Sequence, residues 1–487
     1  MKMNKFIGGF SMKRTLSFLM LAALLAATAS CGDTASESTD TTATAAAETT
    51  ISEEEALKPG IVKDFGGDEF HIIGMNDNVY VCSEEMTGSP INDALYTRDL
   101  EAENKLNVDI TYELYASNEI YGMVQKSVMS GDHAYDLIIN HVNLNLINYA
   151  SENIAVDWKS VPYVDFTKPY WHGDIIDSLS LNGKSPYASS DITITEVVIM
   201  LFNKELAAAH NLGSLYDYVY DGTWTWDKLS EISSAITGDI NGDMTFDEED
   251  LYGIAIYCAG SSWRLRSIPS SCNQFIYKNT DNGIELVVNN EKTQVVLDKI
   301  VNLFDGGGGY IIRGSKADLQ EAVAMFSKGN YLTFFVNSAS APSLYNNLPF
   351  DYGFLPLPKY DEAQENYSSL SWSANLLIPS TADIDQSGLV SEWLSYFGYT
   401  YVRPEFYDSM FSARFAQDED SPKMLDIIFN NMVFDPGMNF LSKNYYGYFD
   451  NMVMGKDTNF ASYYANREKS EKKYIDSLNE SFVNFGN

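Results

Sequence analysis

The chain has 487 residues, a hydrophobic content of 45% and a formal net charge of −35 at pH 7. This acidic balance excludes nucleic acid and anionic lipid surfaces as partners, because both require basic patches. The chain beyond residue 58 is longer than one hydrophobic core usually supports, so two lobes are expected.

The amino-terminal residues have the order of a secretory signal peptide. A basic pair precedes an apolar run from Leu16 to Ala27, and three small residues then lead to Cys31. The run of ~12 residues is too short for a permanent transmembrane helix. The small residues and Cys31 resemble a bacterial lipobox, although Thr28 stands where that motif usually has Leu. We therefore predict a lipoprotein signal peptide over residues 1–31 with Cys31 acylated; the alternative is an ordinary signal peptide with an incidental cysteine.

Residues 32–58 consist mainly of Thr, Ala, Ser and Glu. Such a segment cannot bury enough apolar surface to offset its ordering entropy, so we predict a disordered tether. A tether beside a lipid anchor lets the folded part reach away from the cell membrane.

Short apolar runs then alternate with segments of helical periodicity. This alternation predicts an α/β fold with a largely parallel sheet. The predicted strands are Phe70–Met75, Val108–Tyr112, Tyr135–Ile139, Val197–Phe202, Tyr252–Tyr257 and Tyr331–Val336. The predicted helices are Pro90–Leu106 (capped by Ser89), Glu119–Met129, one from Lys204, Trp226–Ile236 (capped by Thr225), Val295–Phe304, Leu319–Phe326 (ended by Gly329), Leu389–Tyr399, Ser421–Asn430 and Arg467–Phe485.

Three cysteines remain besides Cys31, namely Cys82, Cys258 and Cys272. The last two are close enough in sequence for a disulfide in an oxidising compartment, and buried free thiols are the equal alternative. No Cys/His cluster with zinc-ligand spacing is present in the sequence.

Several segments, in this order along the chain, resemble the extracellular solute-binding proteins of carbohydrate ABC importers, the maltose-binding-protein-like group. Each motif alone is weak, but together they extend over about 400 residues. The segments are Gly131–Ile138 (GDHAYDLI), Leu201–Leu206 (LFNKEL), Thr225–Leu229 (TWDKL), Tyr352–Lys359 (YGFLPLPK) and the late helical segment Ser421–Gly437.

The resemblance implies a two-lobe α/β fold of the periplasmic-binding-protein type, with crossover hinge segments and the solute between the lobes. By analogy, the first lobe would comprise residues 59–190 and 331–370, and the second residues 191–330 and 371–487. It also implies a monomer that delivers its solute to ABC transporter permease subunits without a catalytic cofactor.

The segment Asp239–Asp250 resembles an EF-hand-type calcium loop, whose ligands stand at positions 1, 3, 5, 7, 9 and 12. Met244 replaces the usual Gly at position 6, and an Asp occupies position 12. A structural Ca²⁺ site is therefore expected, with an acidic solvated turn as the alternative. The six predicted ligands are Asp239, Asn241, Asp243, Thr245 (through its carbonyl), Asp247 and Asp250.

A sugar presents hydroxyl groups and apolar ring faces, so polar and aromatic side chains beyond strand ends are candidate ligands. Residues that follow parallel strands point into such clefts. Turn formation is the alternative role for the polar residues, and core packing for the tryptophans. The candidates are Asn76, Asp77, Asn140, His141, Asn337, Ser338, Trp263 and Arg264 in a predicted loop, and Trp372 where the chain recrosses between lobes.

These observations predict capture of an extracellular solute, expected to be a sugar or oligosaccharide, by a protein that is not an enzyme. No serine-nucleophile elbow, zinc-protease, phosphate-loop or dinucleotide motif is present in the sequence. The alternatives are a secreted glycan-active hydrolase with paired carboxylates and a surface adhesion or scaffold lipoprotein.

Overall fold

The computed structural model describes residues 56–76, 80–141, 145–258, 262–280, 283–314, 319–338, 347–372, 374–410, 418–483 and 485–486. The predicted signal peptide, Cys31 and nearly all of the tether lie outside these residues. Residues from Glu53 onward form one compact unit. Among the described helices, none has the length and apolar character needed to cross a membrane.

The described strands are β1 (Asp68–Met75), β2 (Val108–Tyr115), β3 (Leu137–His141), β4 (Glu196–Asn203), β5 (Tyr252–Cys258), β6 (Tyr277–Thr280), β7 (Gly283–Leu286), β8 (Gly309–Arg313), β9 (Tyr331–Asn337), β10 (Tyr352–Leu355), β11 (Ser369–Trp372), β12 (Ala374–Leu377) and β13 (Met432–Val433).

The described α-helices are α1 (Pro90–Leu106), α2 (Ser117–Ser130), α3 (Leu146–Ser151), α4 (Gly173–Leu179), α5 (Lys204–Ala209), α6 (Leu215–Tyr220), α7 (Trp226–Ile236), α8 (Trp263–Ser271), α9 (Glu291–Asp305), α10 (Leu319–Phe326), α11 (Ile384–Phe397), α12 (Arg403–Met410), α13 (Asp420–Asn430), α14 (Pro436–Asn439), α15 (Tyr448–Gly455), α16 (Phe460–Ala465) and α17 (Glu468–Val483).

Two main sheets organise the fold and confirm the predicted α/β class. The first sheet has the order β12-β3-β1-β2, in which β1 is parallel to β2 and β3, and β12 is antiparallel to β3. The second has the order β13-β11-β4-β9-β5-β8, and β10 also pairs with β4. Strand β5 is parallel to β8 and β9, whereas β4 is antiparallel to β9, β10 and β11.

The sheets correct the predicted division into lobes. Strands β9, β10 and β11 belong to the second sheet, although residues 331–370 were assigned to the first lobe. Strand β12 belongs to the first sheet, and α11 packs against α1, although residues 371–487 were assigned to the second lobe. The chain therefore crosses between sheets before β4, again between β11 and β12, and a third time between β12 and β13. An apolar run predicts that a strand is buried, but it does not identify the neighbouring strand.

Local sequence explains where helix α7 begins and how it is placed. The Thr225 hydroxyl accepts a hydrogen bond from the Lys228 amide at 3.2 Å, as expected of an N-cap. Gly253 in β5 lets this helix approach the sheet, because a Cβ there would lie 2.2 Å from the Ser233 Cα. Helix α1 begins after Ser89 with Pro90 in its first turn, as predicted, but the Ser89 side chain makes no capping hydrogen bond.

Cys258 and Cys272 are free and buried, so the disulfide alternative is not realised. Cys258 ends β5, and Cys272 follows the nine-residue helix α8.

Candidate ligand-binding cleft

The two main sheets meet where β11 leads into β12. The Cα of Trp372 pairs with Glu196 at the start of β4, and the Cα of Ala374 pairs with His141 at the end of β3. Trp372 and Ala374 are separated by one residue, so at most about 7 Å of chain joins the two pairs. The space between these two sheet edges is called the cleft below.

Three polar residues come together on the second-sheet side of the cleft. Glu196 opens β4, and Asn337 ends the neighbouring strand β9, where it pairs with Val198. The Asn337 side chain hydrogen-bonds the Glu196 carboxyl, and the charge of Arg264 from α8 acts on the same carboxyl. Glu196, Arg264 and Asn337 are called the polar triad below.

The polar triad holds a carboxyl that titrates near neutral pH. Burial raises the pKa of Glu196 to about 7, while the Arg264 charge and the Asn337 hydrogen bond oppose this rise. Near neutral pH the carboxyl exists in both its protonated and its ionised form, so it can donate or accept a hydrogen bond.

Tyr80 brings an aromatic ring from the first-sheet side towards the polar triad. Burial, followed by the charge of Glu196, raises the pKa of the Tyr80 hydroxyl. Its ring meets that of Phe406 edge-on, with centroids 6.0 Å apart. The cleft therefore combines charged, amide and aromatic groups contributed by both sides.

Two of the predicted polar candidates are engaged inside the fold. The buried Asn140 donates through Nδ2 to the Ser117 carbonyl at 3.1 Å and accepts through Oδ1 from the His141 amide at 2.8 Å. The buried Ser338 accepts through Oγ from the Val197 amide at 3.0 Å, and its own amide donates to the Val197 carbonyl. Both residues therefore hydrogen-bond to neighbouring backbone segments, a local structural role like the alternative of turn formation.

The other candidates have different positions. Asn76 is exposed after β1, and His141 lies half-buried at the cleft end of β3. Trp263 and Arg264 open helix α8, so the predicted loop was wrong there. Asp77 and the side chain of Trp372 fall outside the described residues.

Sequence reasoning missed Glu196 and Tyr80. The predicted polar candidates lie mostly beyond the carboxyl ends of strands, as expected for a parallel sheet, but β4 runs antiparallel to β9. The first residue of β4 therefore lies at the same edge as the last residue of β9. In the sequence, Glu196 is an acidic residue directly before an apolar run, and this was the available signal for it.

The predicted calcium loop has tight turns stabilised by its own side chains. The Asp239 carboxylate accepts from the Gly242 and Met244 amides at 2.6 and 2.9 Å. Met244 has a φ of 65°, the left-handed conformation for which calcium loops normally use Gly at this position. Asp250 is fully buried and accepts from the Ile240 and Asp247 amides at 3.0 and 3.1 Å. Within the described ranges, no group of three or more His, Cys, Asp or Glu residues is gathered closely enough to hold a metal ion.

Two sheets that the chain crosses more than once, with polar and aromatic residues at their facing edges, form the architecture of two-lobe binding proteins. The family model for bacterial extracellular solute-binding proteins matches residues 96–398. The chain belongs to this family, whose members bind a small-molecule solute outside the cytoplasm. No curated protein matches the sequence.

Solved structures show the same fold. The sugar-binding protein MalE from Xanthomonas citri has a TM-score of 0.57 and 11% identity, over 85% of this chain and 98% of that chain. The cyclic α-maltosyl-1,6-maltose binding protein from Arthrobacter globiformis has a TM-score of 0.56 and 14% identity, over 86% and 98%. An ABC substrate-binding protein from Listeria monocytogenes in complex with cycloalternan has a TM-score of 0.54 and 14% identity, over 86% and 99%.

The raised pKa of Glu196 predicts a stability that depends on pH. A carboxyl whose pKa rises on folding from 4.5 to about 7 stabilises the fold fully below pH 4.5, and this contribution is lost as pH rises through 7. The loss amounts to about 3 kcal/mol. Relative to wild type, Glu196→Gln should therefore gain free energy of unfolding between pH 5 and pH 8, measured by urea denaturation. Glu231→Gln, at an exposed carboxylate, is the control with no such gain; parallel pH profiles for wild type and Glu196→Gln would contradict the prediction.

Proposed function

We propose that the protein captures a sugar or oligosaccharide in the cleft and delivers it to the permease subunits of an ABC importer. The polar triad carries this proposal. The Arg264 guanidinium donates hydrogen bonds, the Asn337 amide donates and accepts them, and the Glu196 carboxyl does either according to its protonation, so the three groups match a ligand covered with hydroxyls. Tyr80, which is buried against Phe406, adds an aromatic group on the first-sheet side of the cleft.

The solved relatives support the same ligand class. One was determined in complex with cycloalternan, another is named for a cyclic maltosyl-maltose, and the third is a sugar-binding protein. Capture requires no chemical step, whereas a glycosidase would need a second carboxyl group about 5–9.5 Å from Glu196. Membership of the solute-binding family supports the proposal that the protein binds its solute and releases it unchanged.

Ligand capture should close the cleft, because the proposed contacts come from both sheets. A ligand shifts a conformational equilibrium only through its different affinities for the two states. A saccharide that touches Tyr80 and the polar triad together gains contacts only in the closed form.

Replacing Arg264 should weaken saccharide binding selectively. Loss of hydrogen bonds to a charged group costs about 1.5–3 kcal/mol, roughly a ten- to hundredfold rise in Kd. A thermal-shift screen of sugars, linear and cyclic oligosaccharides, amino acids and peptides would select the ligand, and calorimetry would then compare wild type with Arg264→Ala. Arg467→Ala is the matched control, since Arg467 stacks on Tyr463 between the last two helices.

Three results of that experiment would contradict the proposal. A screen in which only amino acids or peptides stabilise the protein would contradict the ligand class. Equal affinities of wild type and Arg264→Ala would show that the polar triad does not contact the ligand. Cleavage of the saccharide, seen by product analysis of the same mixture, would favour the hydrolase alternative.

We also propose that Cys31 is acylated and anchors the protein to the cell membrane. The basic, apolar and small residues that precede Cys31 support this proposal, as does the polar segment that follows it. In cells fed a fatty-acid analogue, wild type should incorporate the label and Cys31→Ala should not. Cys82→Ala is the cysteine control, and equal labelling of wild type and Cys31→Ala would refute the anchor.

Calcium binding by the Asp239–Asp250 loop is a further proposal, supported by the spacing of its oxygen ligands and by the left-handed Met244. Binding to the native state alone stabilises by about 2.7 kcal/mol at a hundredfold excess over Kd. Calcium should therefore raise the melting temperature of wild type but not that of Asp243→Ala. If a chelator leaves the melting temperature of wild type unchanged, the loop is an acidic turn.

A further inference from the structure

Asp450 is a fully buried carboxylate on helix α15 that lies beneath the first turn of α8. Its Oδ2 accepts a hydrogen bond from the Ser262 amide at 3.1 Å and another from Arg266 Nη2 at 2.9 Å. One oxygen atom thus holds a residue just before α8 and a residue one turn into it. The residues between these anchors include Arg264, whose charge acts on the Glu196 carboxyl.

Two further contacts fix the same turn of α8. The Ser262 hydroxyl accepts from the Leu265 amide at 3.4 Å and caps the helix. The Arg266 guanidinium lies over the Tyr446 ring, 4.4 Å from its centroid. A negative charge at a helix amino terminus is also favoured by the helix dipole. The position of Arg264 is therefore set by groups that lie outside the cleft.

The Asp450–Arg266 pair is poorly suited to a purely stabilising role. The side chains are 0% and 11% exposed, so both charges lose much of their hydration. The second Asp450 oxygen, Oδ1, is buried without a hydrogen-bond partner among the described residues. Replacing a buried ion pair with well-packed apolar residues is often neutral or stabilising, so such a pair is better explained by the geometry it imposes.

We propose that Asp450 is a positioning residue for ligand capture, which acts through Ser262 and Arg266 to hold Arg264 beside Glu196 and Asn337. This inference rests on the proposed function, because the purpose of the placement is the contact between Arg264 and the saccharide. The positioning itself is a property of the ligand-free protein and can be measured without a ligand.

Hydrogen exchange of backbone amides tests the positioning in the full chain. Asp450→Asn should accelerate exchange at least about tenfold in Leu265–Ser267, at the start of α8, and leave the start of α7 unchanged. Asp435→Asn is the matched control, because Asp435 is also a buried carboxylate that accepts backbone amides, here from Ile276 and Gly437. Unchanged exchange in α8 of Asp450→Asn would overturn the inference, whether or not a saccharide ligand has been found.

Affinity for the saccharide selected by the thermal-shift screen provides the second measurement. Asp450→Asn should raise Kd at least about tenfold, whereas Asp435→Asn should lower the melting temperature without raising Kd. The double variant with Asp450→Asn and Arg264→Ala should bind the saccharide no more weakly than Arg264→Ala alone, because the effects of interacting residues on affinity are not additive. Losses that multiply in the double variant would show that Asp450 acts independently of Arg264 and would overturn the inference.

If Asp450→Asn does not fold, Arg266→Gln and Arg266→Lys replace it in both measurements. Arg266→Gln removes the cation beside Asp450 and should reproduce the faster exchange and the weaker binding. Arg266→Lys keeps a cation there and should retain an affinity close to that of wild type. Equal behaviour of the two Arg266 variants would overturn the inference. Failure of wild type to bind any saccharide would instead reject the proposed function and leave the exchange result to decide the positioning.

Discussion

The pairing of β11 with β4 and of β12 with β3 is the constraint on which the rest of the site depends. Because only one residue separates Trp372 from Ala374, the sheet edges that end at Glu196 and His141 are held near each other by main-chain hydrogen bonds. Side chains at these edges can then serve one ligand. A short connection of this kind also lets two sheets move relative to each other while their own pairing stays intact.

The cleft holds charged side chains in surroundings where burial makes their ionisation unfavourable. Glu196 is half-buried, and its ionisation is supported by the Arg264 charge and the Asn337 hydrogen bond. Arg264 is in turn carried by a helix whose first turn is held by Asp450 from another helix. A hydroxyl-rich ligand can replace part of the missing hydration of these groups, which supports the proposed capture of a polar, uncharged solute.

Much of the secondary structure was predictable because local signals agreed with the fold. Helix α7 has the predicted bounds, since its Thr225 cap and its apolar spacing are both local features. The sheet to which β9 belongs was not predictable, because the apolar character of this strand fits either sheet. The sequence located Arg264 and Asn337 at the cleft but missed Glu196, whose position depends on the antiparallel direction of β4. The direction of a strand and the identity of its neighbours are set by long-range pairing, which a single sequence does not show.

Small-angle X-ray scattering with and without a saturating saccharide ligand tests most directly whether the two sheet edges close on a solute. Contacts made to both edges at once predict a smaller radius of gyration in the bound state, and Arg264→Ala should require more ligand to reach it. Identical scattering curves for the free and the saturated wild-type protein would contradict capture by closure of the cleft.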